Sequence, residues 1–160
     1  MSDELTHLDE AGHARMVDVG AKPVTARTAV ATAMVRMTPQ TAQLLAEGRL
    51  PKGDAAAVAR VAGIMAAKRT PDLIPLCHPI AVSGIDVAVD VDVADGTANV
   101  TASVTTNDRT GVEMEALVAA GIAALTLYDM IKGVERGASI EQVRLESKQG
   151  GARGDWQRES

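Results

Sequence analysis

The chain has 160 residues, 46% of them hydrophobic and 23% charged, with a formal net charge of −5. This length suits one domain with a core of its own, and the acidic balance excludes a duplex-binding protein, whose affinity rests on a basic footprint. Phe is absent, and Tyr128, Trp156 and Cys77 are each the sole residue of their kind, so the core must be built from Val, Ile, Leu, Met and Ala, and neither an intramolecular disulfide nor a cysteine-based zinc site can form. A purine-like ligand would find few rings to stack on, leaving its recognition to hydrogen bonds and charge.

Residues 1–14 are polar, without periodicity and without a signal-peptide pattern, and read as a flexible start. The Thr-, Val- and Ala-rich run 27–37 reads as a strand with Val30, Thr32 and Met34 on one face. Residues 39–47 read as a short helix, capped by Thr38 and stopped at Gly48. Asp54 opens a second helix to about residue 69, ended by Pro71, with Val58, Val61, Ala62 and Met65 at helical spacing. Residues 70–79, with Pro71, Pro75 and Pro79, read as a loop. Ile85, Val87, Val89, Val91 and Val93 then alternate with Asp86, Ala88, Asp90 and Asp92, the pattern of a strand with one buried face. Asp95-Gly96 turns the chain, and Ala98, Val100, Ala102 and Val104 alternate on the return strand.

Residues 111–134 read as a long helix opening on a Thr110-x-x-Glu113 capping box. Its apolar part, 117–131, is Ala-rich and short for a bilayer span. Residues 143–148 read as a last short strand and 150–160 as a mobile Gly-rich tail. The order β-α-β-β-α-β is the split arrangement of ferredoxin-like α+β folds. One domain over 15–149 is expected, a four-stranded antiparallel sheet with two long helices on one face and a short extra helix.

No phosphate-binding P-loop, His-Glu-x-x-His pair or nucleophile elbow is present, and the three histidines have no metal-ligand spacing. His78 sits in a proline-framed loop, either as a functional group on a rigid scaffold or as a histidine that fixes the loop through a backbone hydrogen bond. Lys52 precedes a helix start, where it could dock a phosphate or stand as a solvated loop charge. Glu113 and Glu115, two apart on a helix, face different ways. Asp129 and Lys132 share a helix face, and an acid near a helix C-terminus opposes the dipole; a partly buried lysine beside a carboxylate suits proton transfer. Arg109, Lys148 and Arg153 make a basic set, with Lys148 just before Gly150-Gly151, where backbone and side chain could approach a phosphate together.

Several blocks carry a resemblance: Met16-Val17-Asp18-Val19, Lys52-Gly53-Asp54, Ala66-Ala67-Lys68-Arg69-Thr70, Asp72 through Pro79, Thr110 through Leu117, Ala123 through Met130, Lys132, and Lys148 with Gly150-Gly151. In this order, and over nearly the whole chain, they resemble the molybdenum-cofactor biosynthesis protein C family. The resemblance implies conversion of a cyclised 7,8-dihydro-GTP intermediate into cyclic pyranopterin monophosphate with release of pyrophosphate, a lyase-type general acid/base reaction without redox change. It implies no required cofactor and no resident metal, and leaves open a divalent cation on the triphosphate. Asp129, Lys132 and Lys52 become the catalytic residues, with Lys132 as general acid/base, Asp129 orienting it or a water, and Lys52 and His78 holding or protonating substrate.

By the same resemblance Leu76, Cys77, His78, Glu113, Met114 and Glu115 line the base pocket and Lys148 faces the phosphates. A cytoplasmic homohexamer, a trimer of dimers with active sites at subunit interfaces, is implied, with no nucleic-acid or membrane partner. Arg109 stands where the family often has a Lys before Thr-Gly-Val-Glu, which keeps the charge but not the proton-transfer capacity. Three rivals stand beside this reading: a ligand-binding regulatory module without turnover, a scaffold that has lost catalysis, and an RNA-binding module, which would need strand aromatics that 85–93 and 97–106 lack.

Overall fold

A computed structural model describes residues 7–159; residues 1–6 of the expected flexible start and residue 160 lie outside the described residues. The chain runs β1 (Thr25–Arg36), α1 (Pro39–Ala46), α2 (Ala55–Ala67), α3 (Thr70–Leu73), β2 (Val82–Asp92), β3 (Thr97–Asp108), α4 (Glu113–Ile131), β4 (Ser139–Gln149) and β5 (Trp156–Gln157). All strands pair antiparallel in one sheet of order β2-β3-β1-β4-β5. The mixed helix and antiparallel-sheet architecture is as expected. The strand count is not: β5 adds a fifth strand where only a tail was read, because two residues pairing with a strand edge leave no periodicity to detect.

The alternating run folds as the β2–β3 hairpin. Asp92 Oδ1 accepts from Asp95 N at 2.9 Å in its turn. Gly96 follows in the left-handed region (φ 67°), and a side chain there would collide with the Met37 carbonyl, to which no other residue could come so close. Val87 lies opposite Ala102 and Val89 opposite Val100. Ala31 and Ala33 face the same two β3 residues from the other side, so β3 is the centre of the buried sheet face. In β1 that face is Ala29, Ala31, Ala33 and Val35. The face with Val30, Thr32 and Met34 is half-buried, and polar pairs cross it, among them Arg36 Nε to Glu141 Oε1 at 2.9 Å.

α4 packs across β1, β3 and β4, and α2 lies beside it against β2. Ala116, Ala119, Ala120, Ala123 and Ala124 of α4 are fully buried with Leu127 and Ile131. These short side chains let α2 approach closely: a Cβ on Gly63 would stand 2.9 Å from the Ala119 carbonyl. The contact face of α2 is therefore Ala55, Ala59, Gly63, Ala66 and Ala67. This corrects the reading of its apolar stripe, since Val58, Val61 and Met65 point outward, Val61 being 56% exposed. Helix-to-helix distance, not side-chain size, chose the buried face.

Three further expectations change. α2 ends at Ala67, and Pro71 occupies the first turn of α3 inside what was read as a loop, a position where proline's missing N–H costs nothing. The Thr110-x-x-Glu113 capping box does not form. Val112 is the N-cap with no side-chain bond and Glu113 is the first helical residue, whereas a box needs the acid three positions after the cap. α4, at 19 residues and mean hydropathy 1.6, is by itself long and apolar enough to cross a bilayer; its packing against both the sheet and α2 accounts for that apolarity.

Candidate active site

A cleft of about 880 Å³ opens at the N-terminal end of α4. Its walls come from segments far apart in sequence: Val17, Val19 and Lys22 before β1, Arg27 on β1, residues 76–78 after α3, residues 109–115 at the start of α4, Lys148 at the end of β4, and Gly151 to Arg153 beyond it. Leu76, Cys77, His78, Glu113, Met114, Glu115 and Lys148, all read from the sequence as a substrate pocket, line this one cleft.

His78 is placed by its own ring. Its Nε2 lies 2.6 Å from the Val17 carbonyl oxygen, which can only accept, so the proton sits on Nε2 and Nδ1 of the neutral ring is left as an acceptor. The bond ties the proline-framed loop to the segment carrying Val17, Val19 and Lys22. Both readings of His78 therefore meet in one residue: it braces the loop and it lines the cleft.

Glu113 and Glu115, which face different ways on the helix, both line the cleft. Glu113, first in α4, folds its carboxylate over Gly111, where even a Cβ would collide with it. It reaches toward Lys148, with Oε1 3.9 Å from Nζ. Glu115 is only 3% exposed. Burial raises its pKa above the ordinary carboxylate value, its own backbone hydrogen bond works against the rise, and the Glu113 charge adds to it. Burial likewise raises the Cys77 thiol, and the Glu115 charge raises it further, so Cys77 is a thiol in the wall and not a ready nucleophile.

The cleft also gathers cations. Arg27 donates from Nε to the Asp108 carbonyl at 3.0 Å and from Nη2 to the Arg109 carbonyl at 3.1 Å. It fastens β1 to the β3–α4 connection. Lys22, Arg109, Lys148 and Arg153 line the same cleft. Lys22 and Arg27 escaped the sequence reading; the one available signal was an arginine at the start of a strand otherwise made of small residues. Thr25, between them, has a buried hydroxyl oxygen that lacks a hydrogen-bond partner among the described residues.

Lys52, Asp129 and Lys132 form a separate cluster. Lys52 Nζ donates to Asp129 Oδ2 at 2.7 Å and to its carbonyl at 2.9 Å, and Lys132 Nζ lies 2.7 Å from Asp129 Oδ1. Asp54 does cap α2, accepting from Ala57 N at 3.0 Å, but Lys52 turns away from that helix start to Asp129. The hydrogen bonds from Lys132 and then Lys52 pull the Asp129 carboxyl down from 3.8 to about 2, and Asp129 in turn raises Lys132. Within one chain the cluster is half-exposed, with the Asp129 side chain at 52%, not partly buried as expected.

The cleft and the cluster share α4 but not a location. Glu113 opens the helix and Asp129 stands in its last turn, and sixteen positions at ~1.5 Å each separate them by about 24 Å. His78 belongs with the cleft, not with Lys52.

Residues 16–151 match the MoaC family. The chain is similar to a cyclic pyranopterin monophosphate synthase of Streptomyces coelicolor, 61% identical over 156 residues covering 98% of this chain and 91% of that protein. It is 59% identical over 156 residues to the protein of the same name in Chloroflexus aurantiacus, covering 98% and 96%. With that of Roseiflexus sp. the identity is 58% over 156 residues, covering 98% of both. A match over most of the chain, joined to relatives this close at nearly full length, establishes the kinship: the chain belongs to the MoaC family.

Proposed function

We propose that this chain is a cyclic pyranopterin monophosphate synthase of molybdenum-cofactor biosynthesis, taking a cyclised 7,8-dihydro-GTP to cyclic pyranopterin monophosphate and pyrophosphate. Near-full-length identity to proteins of that name supports it. The observation that carries it is the charge gathered in one cleft: Lys22, Arg27, Arg109, Lys148 and Arg153 are there for a triphosphate, and Glu113 and Glu115 for the N–H edge of a guanine-derived ring. The strand order β2-β3-β1-β4 within the sheet supports the ferredoxin-like reading of the core.

The chemistry is lyase-type general acid/base catalysis. Lys132, its pKa raised by Asp129, is protonated at neutral pH and enters the reaction as a proton donor, becoming a base only after giving up its proton. Asp129 orients Lys132 and Lys52 and stays ionised. Leu76, Cys77, His78 and Met114 hold the ring. A divalent cation would serve only as company to the triphosphate.

About 24 Å of helix between cleft and cluster exceeds what one substrate spans, so a second copy supplies the lysine–aspartate cluster to each cleft. The outward stripe Val58, Val61 and Met65 with exposed Leu125 supports an apolar contact between copies. A cytoplasmic homohexamer, a trimer of dimers, is the assembly we propose.

Incubating the protein anaerobically with the cyclised dihydro-GTP tests the reading. Stoichiometric cyclic pyranopterin monophosphate and pyrophosphate are expected from the wild type and neither from Lys132→Ala. Tight binding without product by well-folded wild-type protein would replace the synthase with a ligand-binding module.

A further inference from the structure

We propose that the hairpin joining β4 to β5 is a strap over the cleft beside Arg27, and that Arg153 at its tip binds the terminal phosphates of the substrate. The proposal rests on the synthase reading for the identity of the ligand.

The base of the strap is fixed. Lys148 lies opposite Trp156 and Ser147 opposite Gln157. Arg158 extends the pairing, donating from its backbone N to the Glu146 carbonyl at 2.8 Å and from Nε to the Leu145 carbonyl at 2.8 Å. Its guanidinium also stands over the Trp156 ring, 5.8 Å from the centroid. A two-residue strand would be a weak anchor alone, and these side-chain contacts secure it.

The tip is shaped for close approach. Gly150, Gly151 and Gly154 all lie in the left-handed region, at φ 84°, 83° and 71°. Gly150 N donates to Asp155 Oδ1 at 2.9 Å and Gly154 N to the Gly151 carbonyl at 3.1 Å, which closes the loop on itself. A Cβ on Gly150 would collide with the Ala26 carbonyl, and one on Gly151 with the Arg27 guanidinium. The missing side chains thus seat the tip directly on the residue that fastens β1 to the β3–α4 connection. Arg153 stands exposed on this loop and lines the cleft.

Arg27 has two of its nitrogens committed to backbone carbonyls and Lys148 faces Glu113. Arg109 and Arg153 have no carboxylate within salt-bridge distance among the described residues and no side-chain hydrogen bond, so their guanidinium donors are available to an anion. Their planar forks match a phosphate with two parallel hydrogen bonds. Arg153 differs from Arg109 in being carried on a glycine-jointed loop, able to follow a phosphate chain of varying reach.

The test uses the whole protein and inorganic tripolyphosphate in low-salt calorimetric titration, with steady-state kinetics on the cyclised dihydro-GTP in parallel. Arg153→Ala is expected to weaken tripolyphosphate binding and raise KM by roughly tenfold each, with kcat and Tm close to wild type, and Arg153→Lys is expected to recover part of the loss. Tripolyphosphate binding as tight in Arg153→Ala as in wild type would overturn the strap, as would no binding to wild type at all. A wild type that binds tripolyphosphate through Arg153 yet yields no product would sink the synthase reading and leave the strap standing. Full turnover with KM unmoved in Arg153→Ala would do the reverse.

Discussion

Two lysines share the Asp129 carboxylate, one oxygen each, at 2.7 Å. Asp129→Asn keeps the shape and removes the charge, so turnover should vanish while the fold survives; near-normal activity in a steady-state assay would dismiss the proposed role. The same pairing has a pH signature. The folded carboxyl sits at about 2, below its ordinary 3.8, so its stabilisation is complete above about 4 and lost as pH falls toward 2. Plots of Tm against pH for wild type and Asp129→Asn should therefore converge across that window and stay parallel above it. Glu115 has the opposite sign. Its raised pKa means that the ionised form destabilises the fold, so Glu115→Gln should show a higher Tm than wild type at pH 8, the gap closing as pH falls toward 4.5. A lower Tm for the variant at pH 8 would contradict the burial argument. At this scale the sequence made Asp129 and Lys132 legible, because two charges three apart on an apolar helix must share a face. It misled at Glu113, where a helix start two residues later, with Val112 in place of Thr110 as the cap, removes the capping role, and it was silent on Arg27, whose partners are carbonyls 81 and 82 positions away.

At the scale of elements, period-2 alternation placed β2 and β3 well because every second residue turns to the core, buried along β3 and half-buried along most of β2. α2 shows why size-weighted periodicity fails. Its largest apolar residues face outward and its smallest face α4, since the two helices meet where Gly63 leaves room for the Ala119 carbonyl. Gly63→Val should accordingly destabilise by about 1–3 kcal/mol despite the loss of a helix glycine, measured by urea unfolding; a stability equal to wild type would show that the contact is soft. The first strand was found but its buried face was not identified, because Ala29, Ala31 and Ala33 are less conspicuous than Val30 and Met34 on the other side. β5 was invisible for the reason that its order comes from Arg158 and its neighbours, not from any pattern of its own.

At the scale of the molecule, one chain carries a cleft at one end of α4 and a charged cluster at the other, and the sequence shows their spacing along the helix but not what lies beside each end. If each working site joins the cleft of one copy to the lysine–aspartate cluster of another, two dead variants should rescue each other. Lys148→Ala and Asp129→Asn, each inactive alone, should recover about a quarter of wild-type activity when their subunits are mixed at random. Mixed assemblies verified by native mass spectrometry yet fully inactive would mean that each site is built within one chain. The outward stripe on α2 makes a companion case: Val61→Glu should lower the oligomeric state in sedimentation while leaving the secondary structure unchanged.

Trp156 is the only tryptophan, Tyr128 the only tyrosine, and there is no phenylalanine. The indole sits in β5 beside Arg158, 42% exposed, one strand-step from the hairpin that overlies the cleft. The molecule therefore carries a built-in optical reporter, with almost no background emission, at the edge of its own binding site. Ligand arrival there can be followed by intrinsic fluorescence on an unlabelled chain, and a stopped-flow trace would time binding separately from the appearance of product.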